Sequence, residues 1–267
     1  MSSSESMIQE RHSVLLVGGI DPSGGAGLLI DAMTVRTLGL HPVLAMTALA
    51  VQNTDRVVHR YDLPAGLVQE QLNVVSEEFA LGAVKSGMLP TPAIVETLAD
   101  WLSARPRLPL VLDPVLRATS GGALVDTAAI ETIVRELFPR SRLVTPNLEE
   151  AALLTGQTIK DRDDIPRVAG SLLEMGPEWV LVKGGHLSGD TAADYLASKD
   201  GGSWLLESKR GHGETRGTGC ALASAIASGL AGGDAIPDAV RSAKALVTEA
   251  LDLGYCAGQG RFLNPQS

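Results

Sequence analysis

The stretch SVLLVGGIDPSGGAGLLID (residues 13–31) joins a short apolar run to a longer amphipathic one through a glycine-rich turn. The apolar run at 13–19 predicts a buried strand that ends in glycine, and the residues from Gly25 to Leu38 predict a helix. Glycines between them let the backbone turn tightly and let a ligand approach without a Cβ in the way. The alternative interpretation is an ordinary strand-to-helix turn that binds nothing.

The same order of strand, turn and helix is repeated along the chain. Further strands are predicted at 41–53, 80–87, 108–114, 141–146 and 178–185, and further helices at 64–79, 91–104, 126–137, 147–154, 163–175, 217–231 and 236–252. Residues 190–210 predict a β-hairpin. Strands that alternate with helices form βαβ units, which require a parallel sheet covered on both faces. We therefore expect an α/β fold with three layers in one domain at 13–256, with tails at 1–12 and 257–267.

The composition is that of an ordinary globular protein. Hydrophobic residues make up 45% and charged residues 20% of the 267 residues, and the net charge is −9. The acidic surplus argues against nucleic acid or a membrane as the main partner, although it is compatible with a local anion site. Two cysteines, Cys220 and Cys256, do not make a disulfide framework, and no apolar run is long enough to span a membrane. We therefore expect a cytoplasmic protein.

The strongest single motif is Gly217-Thr218-Gly219-Cys220, which opens a predicted helix rich in small residues. Backbone N–H groups at the start of a helix have no partner within it and lie at the positive end of its dipole, so they attract anions. Glycine on either side of Thr218 allows close approach to a phosphoryl group that is being transferred. The alternative interpretation is a glycine-rich helix start without a ligand.

Further candidates for ligand binding lie in the helix after the first predicted strand and at the ends of the next two strands. Asp31 is either a hydrogen-bond acceptor for a hydroxyl or amino group or a solvated residue on a helix face. Gln52 and Asn53 end an apolar strand, and an amide suits a ring that carries nitrogen and an exocyclic amine. Met88 is either an adaptable wall for an aromatic ring or a core residue.

A second group of residues suggests a site for a metal and phosphates. Asn147 and Glu150 are spaced as in a capping box at a helix start, and Glu150 is at the same time a candidate to hold the waters around Mg²⁺. Asp113 ends the strand LPLVLDP and is a second carboxylate at the same edge of the sheet. Lys183 directly follows another buried strand, where it either contacts nucleotide phosphates or is solvated.

Seven segments occur together in a specific order: GGIDPSGGAGLLID (18–31), TALAVQNT (47–54), KSGML (85–89), VLDPV (111–115), TPNLEEA (145–151), VKGGH (182–186) and RGTGCALASAIASGL (216–230). In this order they resemble the hydroxymethylpyrimidine/phosphomethylpyrimidine kinases of thiamine biosynthesis, which belong to the ribokinase-like superfamily. The resemblance runs from about residue 13 to residue 252.

The resemblance implies a ribokinase-like fold, usually in a homodimer, and the phosphorylation of a pyrimidine hydroxymethyl group that depends on ATP and Mg²⁺. A second phosphorylation, of the monophosphate to the diphosphate, is common in the family. The implied pyrimidine contacts are Gly19, Ala26, Asp31, Gln52 and Met88. The implied nucleotide and metal residues are Lys183 on the ATP phosphates, with Asp113, Asn147 and Glu150 near Mg²⁺ and the phosphates. The implied anion hole is Gly217, Thr218 and Gly219, with Cys220 at the position of the catalytic base.

General chemistry is consistent with these roles. Phosphoryl transfer depends mainly on positioning and charge stabilisation, which backbone amides, a lysine and Mg²⁺ supply. A thiol at a helix N-terminus is expected to have a lowered pKa, so we expect Cys220 to be partly thiolate at neutral pH and able to accept the proton of the substrate hydroxyl.

Two positions depart from the pattern: GLLID (27–31) replaces the more usual Gly-Ile-Gln-Ala-Asp, so that Leu29 offers no polar contact, and the other departure lies before the anion loop. The residue before Gly-Thr-Gly-Cys is commonly histidine in the family and is Arg216 in this chain. An arginine there either contacts a phosphate or changes the substrate preference. Two other functions stay open at this point: a pyridoxine or pyridoxal kinase of the same branch, and a binding protein that keeps the fold without catalysis.

Overall fold

The structure is a computed structural model that describes residues 12–116, 124–185, 191–209 and 215–265. The described strands are β1 (Ser13–Ile20), β2 (His41–Gln52), β3 (Val57–Asp62), β4 (Leu81–Ser86), β5 (Leu110–Leu112), β6 (Leu143–Val144), β7 (Trp179–Val182), β8 (Thr191–Ser198), β9 (Ser203–Lys209), β10 (Tyr255–Ala257) and β11 (Gly260–Phe262). The described helices are α1 (Gly27–Thr37), α2 (Ala65–Glu78), α3 (Pro92–Ser103), α4 (Thr127–Thr132), α5 (Leu148–Thr155), α6 (Ile165–Glu174), α7 (Thr218–Ala231) and α8 (Ile236–Asp252).

The central sheet is parallel in its middle and antiparallel at both edges. Within the described ranges it has nine strands in the order β3-β2-β1-β4-β5-β6-β7-β8-β9. The pairs from β2 through β1, β4, β5 and β6 to β7 are parallel, whereas β3, β8 and β9 pair in the antiparallel sense. The hairpin predicted within 190–210 is confirmed as β8 and β9, which extend the same sheet.

Helices cover both faces of the sheet, as predicted. In β1 the side chains of Val14 and Leu16 pack in a core with α7 and α8, and those of Leu15 and Val17 pack in a second core with α2, α3 and α6. All four residues are fully buried. Neighbouring residues of a strand point to opposite faces, so an uninterrupted apolar run is what a strand covered on both sides requires. The three-layer fold with a mainly parallel sheet is confirmed.

Two elements differ from the sequence expectations. The strand β3 has no counterpart among the predicted strands, because its sequence VVHRYD mixes charged with apolar residues and lies at an exposed edge. The helix predicted at 126–137 is interrupted: α4 ends at Thr132 and continues as a wider π-helical turn (Ile133–Leu137) and a 3₁₀ turn (Phe138–Arg140).

The segment after α8 is packed against the rest of the molecule. The strands β10 and β11 form an antiparallel hairpin, and Phe262 and Leu263 are buried. Phe262 also forms a parallel bridge with Arg216. The packed part of the chain therefore extends past residue 256, where the sequence analysis placed the end of the domain. The tail predicted at 1–12 lies outside the described residues except for His12.

Candidate active site

The carboxyl ends of the parallel strands meet at one edge of the sheet. Gly19 lies near the end of β1, Gln52 ends β2, Met88 follows β4, Asp113 follows β5 and Lys183 follows β7. In open sheets of this kind, ligands bind outside the carboxyl ends of the strands. The residues predicted from the sequence are therefore distributed along the edge where a ligand is expected.

The first turn of α7 has the geometry of an anion site. Gly217 is its N-cap and has a left-handed backbone with φ of 85°. A Cβ on Gly217 would overlap the carbonyl oxygen of Gly25, so only glycine fits at this position. The N-cap supplies no side-chain hydrogen bond to the first turn. Its backbone N–H groups, at the positive end of the helix dipole, are therefore suited to bind a phosphoryl group.

This turn faces a buried ion pair. Lys183 Nζ donates a hydrogen bond to Asp113 Oδ1 at 2.7 Å, and Thr145 Oγ1 donates to the same oxygen at 2.9 Å. A Cβ on Gly219 would lie 3.1 Å from Lys183 Nζ and 3.9 Å from Asp113 Oδ2. The structure thus brings together the predicted anion hole, the predicted phosphate lysine and one of the predicted metal ligands.

Both members of this ion pair keep their charge at neutral pH. Burial by itself favours the neutral forms of both groups. The ammonium groups of Lys183 and Lys85 nevertheless hold the pKa of Asp113 below its usual value, and the Asp113 carboxylate raises the pKa of Lys183. The site therefore presents a permanent ammonium group beside the helix N-terminus, which favours phosphate binding.

The helix α5 begins with the predicted capping box. Glu150 N donates to Asn147 Oδ1 at 2.8 Å, and Asn147 N donates to Glu150 Oε2 at 2.9 Å. Burial raises the pKa of Glu150 to about 7, although the Lys183 ammonium opposes this shift. The capping interpretation is confirmed, and the same carboxyl lies within the electrostatic field of the Lys183–Asp113 pair.

The donor set at this position fits Mg²⁺. Asp113 and Glu150 are both buried carboxyls, and both interact electrostatically with Lys183. In the part of the chain that the structure describes, no group of three or more His, Cys, Asp or Glu residues is arranged to hold a metal ion. Mg²⁺ usually keeps several waters and is held by one or two carboxylates together with substrate phosphates. Two carboxylates beside an anion site match that mode of binding.

Asp31 has other partners than the predicted pyrimidine. It is buried, Lys85 Nζ donates to its Oδ2 at 2.8 Å, and Ser224 Oγ donates to its Oδ1 at 2.8 Å. Burial by itself lowers the pKa of Lys85, but the Asp31 carboxylate raises it above its usual value. Both carboxylate oxygens are engaged because a buried ammonium without a counter-charge would be very costly. This geometry favours a structural role beneath the site over direct contact with a substrate.

Lys85 and Ser224 are site residues that the sequence analysis did not identify. The available signal was the single charged residue in the otherwise apolar run ALGAVKSG at 80–87. A lysine inside a buried strand is rarely left without a partner. No sequence pattern indicates that its partners are Asp31, 54 residues away, and through it Ser224.

Cys220 lies in the first turn of α7, where the sequence analysis expected a lowered pKa. Burial instead raises the pKa of the thiol to about 11. The nearby Lys85 ammonium and a hydrogen bond from the backbone N–H of Gly27 oppose this shift only in part. The expectation of a partial thiolate at neutral pH is wrong for the protein without ligands, because the loss of water around the sulfur outweighs these favourable groups.

The predicted pyrimidine residues Gly19, near the end of β1, and Met88, after β4, are in direct contact. A Cβ on Gly19 would overlap the terminal methyl group of Met88, and Thr47 Oγ1 donates to the Met88 carbonyl at 2.7 Å. Ala26 is the N-cap of α1, and Gln52 is partly exposed at the end of β2. The structure therefore places the flexible thioether of Met88 against Gly19, in keeping with a shared role for these two residues.

Arg216 connects three segments around this region. Its Nη2 lies 3.4 Å from Asp21 Oδ2, and its Nη1 donates to the Thr54 carbonyl at 3.4 Å. Its backbone N–H donates to the carbonyl of Arg261 in the C-terminal hairpin at 3.0 Å. The residue that departs from the family pattern is thus placed between the loops that follow β1 and β2.

A glycine-lined helix N-terminus, a charged lysine and two carboxyls at the edge of a parallel sheet define a kinase that phosphorylates small molecules. The family profile described as phosphomethylpyrimidine kinase matches residues 21–264. The chain belongs to this family, as the sequence resemblance implied.

Individual relatives agree with this assignment. The chain is 42% identical over 247 residues to the hydroxymethylpyrimidine/phosphomethylpyrimidine kinase of Streptomyces coelicolor. The matched region covers 92% of this chain and 91% of that protein. The crystal structure of phosphomethylpyrimidine kinase from Clostridium difficile is 36% identical, has a TM-score of 0.79, and covers 90% of this chain and 100% of that one.

A related vitamin kinase is similar in structure. The pyridoxal kinase from Staphylococcus aureus in complex with AMP-PCP and pyridoxal is 27% identical, has a TM-score of 0.88, and covers 97% of this chain and 94% of that one. Among the residues that the structure describes, no helix is both long and apolar enough to cross a membrane.

Proposed function

We propose that this chain transfers the γ-phosphoryl group of ATP to 4-amino-5-hydroxymethyl-2-methylpyrimidine and then to the resulting monophosphate, in thiamine biosynthesis. The observation that carries the proposal is the position of Gly219, whose backbone faces the Lys183–Asp113 ion pair at the start of α7. That geometry supports the binding of a phosphoryl group between backbone N–H groups and an ammonium group.

The roles of the nucleotide residues follow from their positions. Lys183 binds the phosphates of ATP, and Asn147 lies beside them at the start of α5. Asp113 and Glu150 hold Mg²⁺ through its water shell, and the ion when bound neutralises charge on the phosphates. The backbone N–H groups of residues 217–220 stabilise the charge that develops on the transferred group.

The substrate residues belong to β1, the start of α1, β2 and the segment after β4. Gly19, Ala26 and Met88 form the wall for the pyrimidine ring, and the Gln52 amide binds its ring nitrogen and amino group. The ion pair of Asp31 with Lys85 supports this wall from beneath. Cys220 contacts the hydroxyl group as a thiol, which is sufficient because a loose transition state needs only modest help from a base.

Purified protein tests the proposal directly. With Mg-ATP and the hydroxymethylpyrimidine, we expect ADP release in a coupled assay and the appearance of the monophosphate and then the diphosphate by phosphorus NMR. Absence of ADP release with this substrate would overturn the proposal. The Cys220→Ala variant is expected to lose activity, and unaltered ADP production would remove any catalytic role of the Cys220 thiol while leaving the kinase assignment in place.

The similarity in structure to a pyridoxal kinase supports a second candidate function, the phosphorylation of vitamin B6. A comparison of kcat/KM for the pyrimidine and for pyridoxal under identical conditions separates the two. Pyridoxal carries an aldehyde, and a hemithioacetal with Cys220 would change the absorbance spectrum of the bound vitamin. A higher kcat/KM for pyridoxal than for the pyrimidine would make pyridoxal phosphorylation the favoured function.

We also propose that the active form is a cytoplasmic homodimer that pairs through the outer face of β2 and β3. Leu49 and Tyr61 are opposite each other across these strands, and with Val51 they are between 41% and 61% exposed. An exposed apolar face of this kind is typical of a protein interface. Light scattering should give a dimeric mass that becomes monomeric in Tyr61→Glu, and a monomeric wild type would refute the dimer.

A further inference from the structure

The side chain of Arg216 is buried but incompletely paired. The residue is 9% exposed, and its contacts with Asp21 and with the Thr54 carbonyl are both long, at 3.4 Å. Its Nε atom is buried and has no hydrogen-bond partner among the described residues. Most buried polar atoms are hydrogen-bonded, so a buried guanidinium with a remaining donor has the capacity to bind a further acceptor.

The position of Arg216 indicates which ligand provides that acceptor. Its side-chain partners lie in the loops after β1 and β2, whereas Lys183 follows β7 on the other side of the sheet centre. The start of α7 lies between these two halves. The proposed substrate residues Gly19 and Gln52 belong to the strands on the Arg216 side, so under the proposed function an anion at Lys183 is the nucleotide's and an anion at Arg216 is the substrate's.

The surrounding backbone is shaped to admit this side chain. A Cβ on Gly25 would lie 3.1 Å from Arg216 Nε and 2.8 Å from the Phe262 ring, so the glycine in this loop leaves room for both. The backbone N–H of Arg216 donates to the Arg261 carbonyl, which fixes the backbone directly before Gly217, the N-cap of α7. The backbone of Arg216 thus directly precedes the anion hole, and its guanidinium lies beside Gly25 and between Asp21 and Thr54.

We propose that Arg216 binds the phosphate of the phosphorylated substrate during the second phosphoryl transfer, an inference that rests on the proposed function. In that step a nonbridging oxygen of the monophosphate forms a bond to the γ-phosphorus of ATP. The bond between the γ-phosphorus and its bridging oxygen breaks, and the electron pair leaves with ADP. The attacking phosphate is already ionised, so no base is needed.

The positive charge of Arg216 reduces the electrostatic repulsion that is specific to this second step. Two anionic groups must approach each other, and a permanently charged guanidinium reduces their repulsion while it orients the phosphate through two hydrogen bonds. The alcohol substrate of the first step carries no phosphate and gains nothing from this charge. Arg216 is therefore expected to affect the choice between the two substrates.

The experiment measures kcat/KM for the alcohol and for the monophosphate in wild type, Arg216→Gln, Arg216→His and Asp21→Asn. The result is the ratio of the monophosphate value to the alcohol value. Loss of a charged hydrogen-bond donor should lower this ratio about 10- to 100-fold in Arg216→Gln. Asp21→Asn is the matched control, because it removes the ion pair but keeps the guanidinium, and its ratio should equal or exceed that of the wild type.

A purely structural role gives a different pattern. If Arg216 only connects the loops, Arg216→Gln and Asp21→Asn lower both kcat/KM values together and leave the ratio unchanged, which would overturn the inference. If Arg216→Gln fails to fold, Arg216→His supplies the test, because it introduces the residue that is usual in the family. Its ratio should fall below that of the wild type, and an unchanged ratio would overturn the inference.

The wild-type enzyme separates this inference from the proposed function. Phosphorylation of the alcohol without any activity on the monophosphate would overturn the role of Arg216 and leave the first reaction in place. Absence of activity on the alcohol would overturn the proposed function itself.

Discussion

Replacement of Gly219 by alanine should increase the stability of the protein while it decreases catalysis. Gly219 lies in the helical part of α7, and alanine is preferred over glycine in a helix by about 0.5–1 kcal/mol. For a domain of this size, that gain corresponds to a rise in Tm of about 1–4 °C. The new methyl group lies 3.1 Å from Lys183 Nζ, whose hydrogen bond to Asp113 limits how far it can shift, so this gain is an upper limit.

The same methyl group occupies the space that the phosphoryl group needs. Interference with one element of an anion hole lowers kcat by about 100-fold or more, so we expect a loss of that order in kcat/KM. Steady-state kinetics and thermal unfolding on the same preparation measure both effects. A Gly219→Ala variant with wild-type kcat/KM would refute the assignment of this turn as the anion hole.

Gly170→Ala is the matched control for this prediction. Gly170 lies within α6, and no atom lies within 4 Å of the position that its Cβ would take. The substitution should give a similar gain in stability without a change in kcat/KM. A loss of activity in Gly170→Ala would show that replacing a helical glycine is enough to reduce catalysis. The loss at Gly219 would then no longer be evidence for an anion hole.

Three further predictions concern burial and backbone geometry. In a Cys256→Ser background, alkylation of Cys220 by iodoacetamide should stay slow at pH 8 and accelerate toward pH 11, since a raised pKa keeps the thiol protonated; a plateau by pH 9 would contradict the burial effect. Lys85→Met leaves the Asp31 carboxylate unpaired and should lower the free energy of unfolding by about 3–5 kcal/mol in chemical denaturation. Combining it with Asp31→Asn should restore much of the loss, and an equal loss in the double variant would argue against a buried ion pair. Gly217→Ala should lower the Tm, because φ is 85° and the new Cβ meets a carbonyl oxygen; an unchanged Tm would mean that the turn is free to adopt another conformation.

Much of the fold was predictable from local patterns. The apolar run at β1 and the helical periodicities between strands reflect burial on both faces of a sheet. Both patterns can be recognised in a short window of consecutive residues. The strand β3 was not predictable in the same way, because its residues pair at an exposed edge and carry no apolar alternation. The hairpin of β10 and β11 was also missed, since it gains its packing from Phe262 against distant parts of the chain.

The candidate site was predictable in its parts and less so in its chemistry. The capping box of Asn147 with Glu150 depends on residues three positions apart, so the sequence was enough to find it. The role expected for Asp31 depended on what lies around it, and the structure places Lys85 and Ser224 there. The pKa of Cys220 is raised, whereas the sequence analysis expected it to be lowered, because the desolvation of the thiol depends on the assembled fold.

The sequence by itself determined the alternation of strands and helices in the parallel part of the sheet, the glycine turn at 217–219 and the family to which the chain belongs. These features depend on neighbouring residues or on short motifs. Only the tertiary structure decided which charges meet: Lys85 with Asp31, Lys183 with Asp113, and Arg216 with Asp21. Such pairs form between residues 54 to 195 positions apart, and the energy of each depends on burial that no local pattern records.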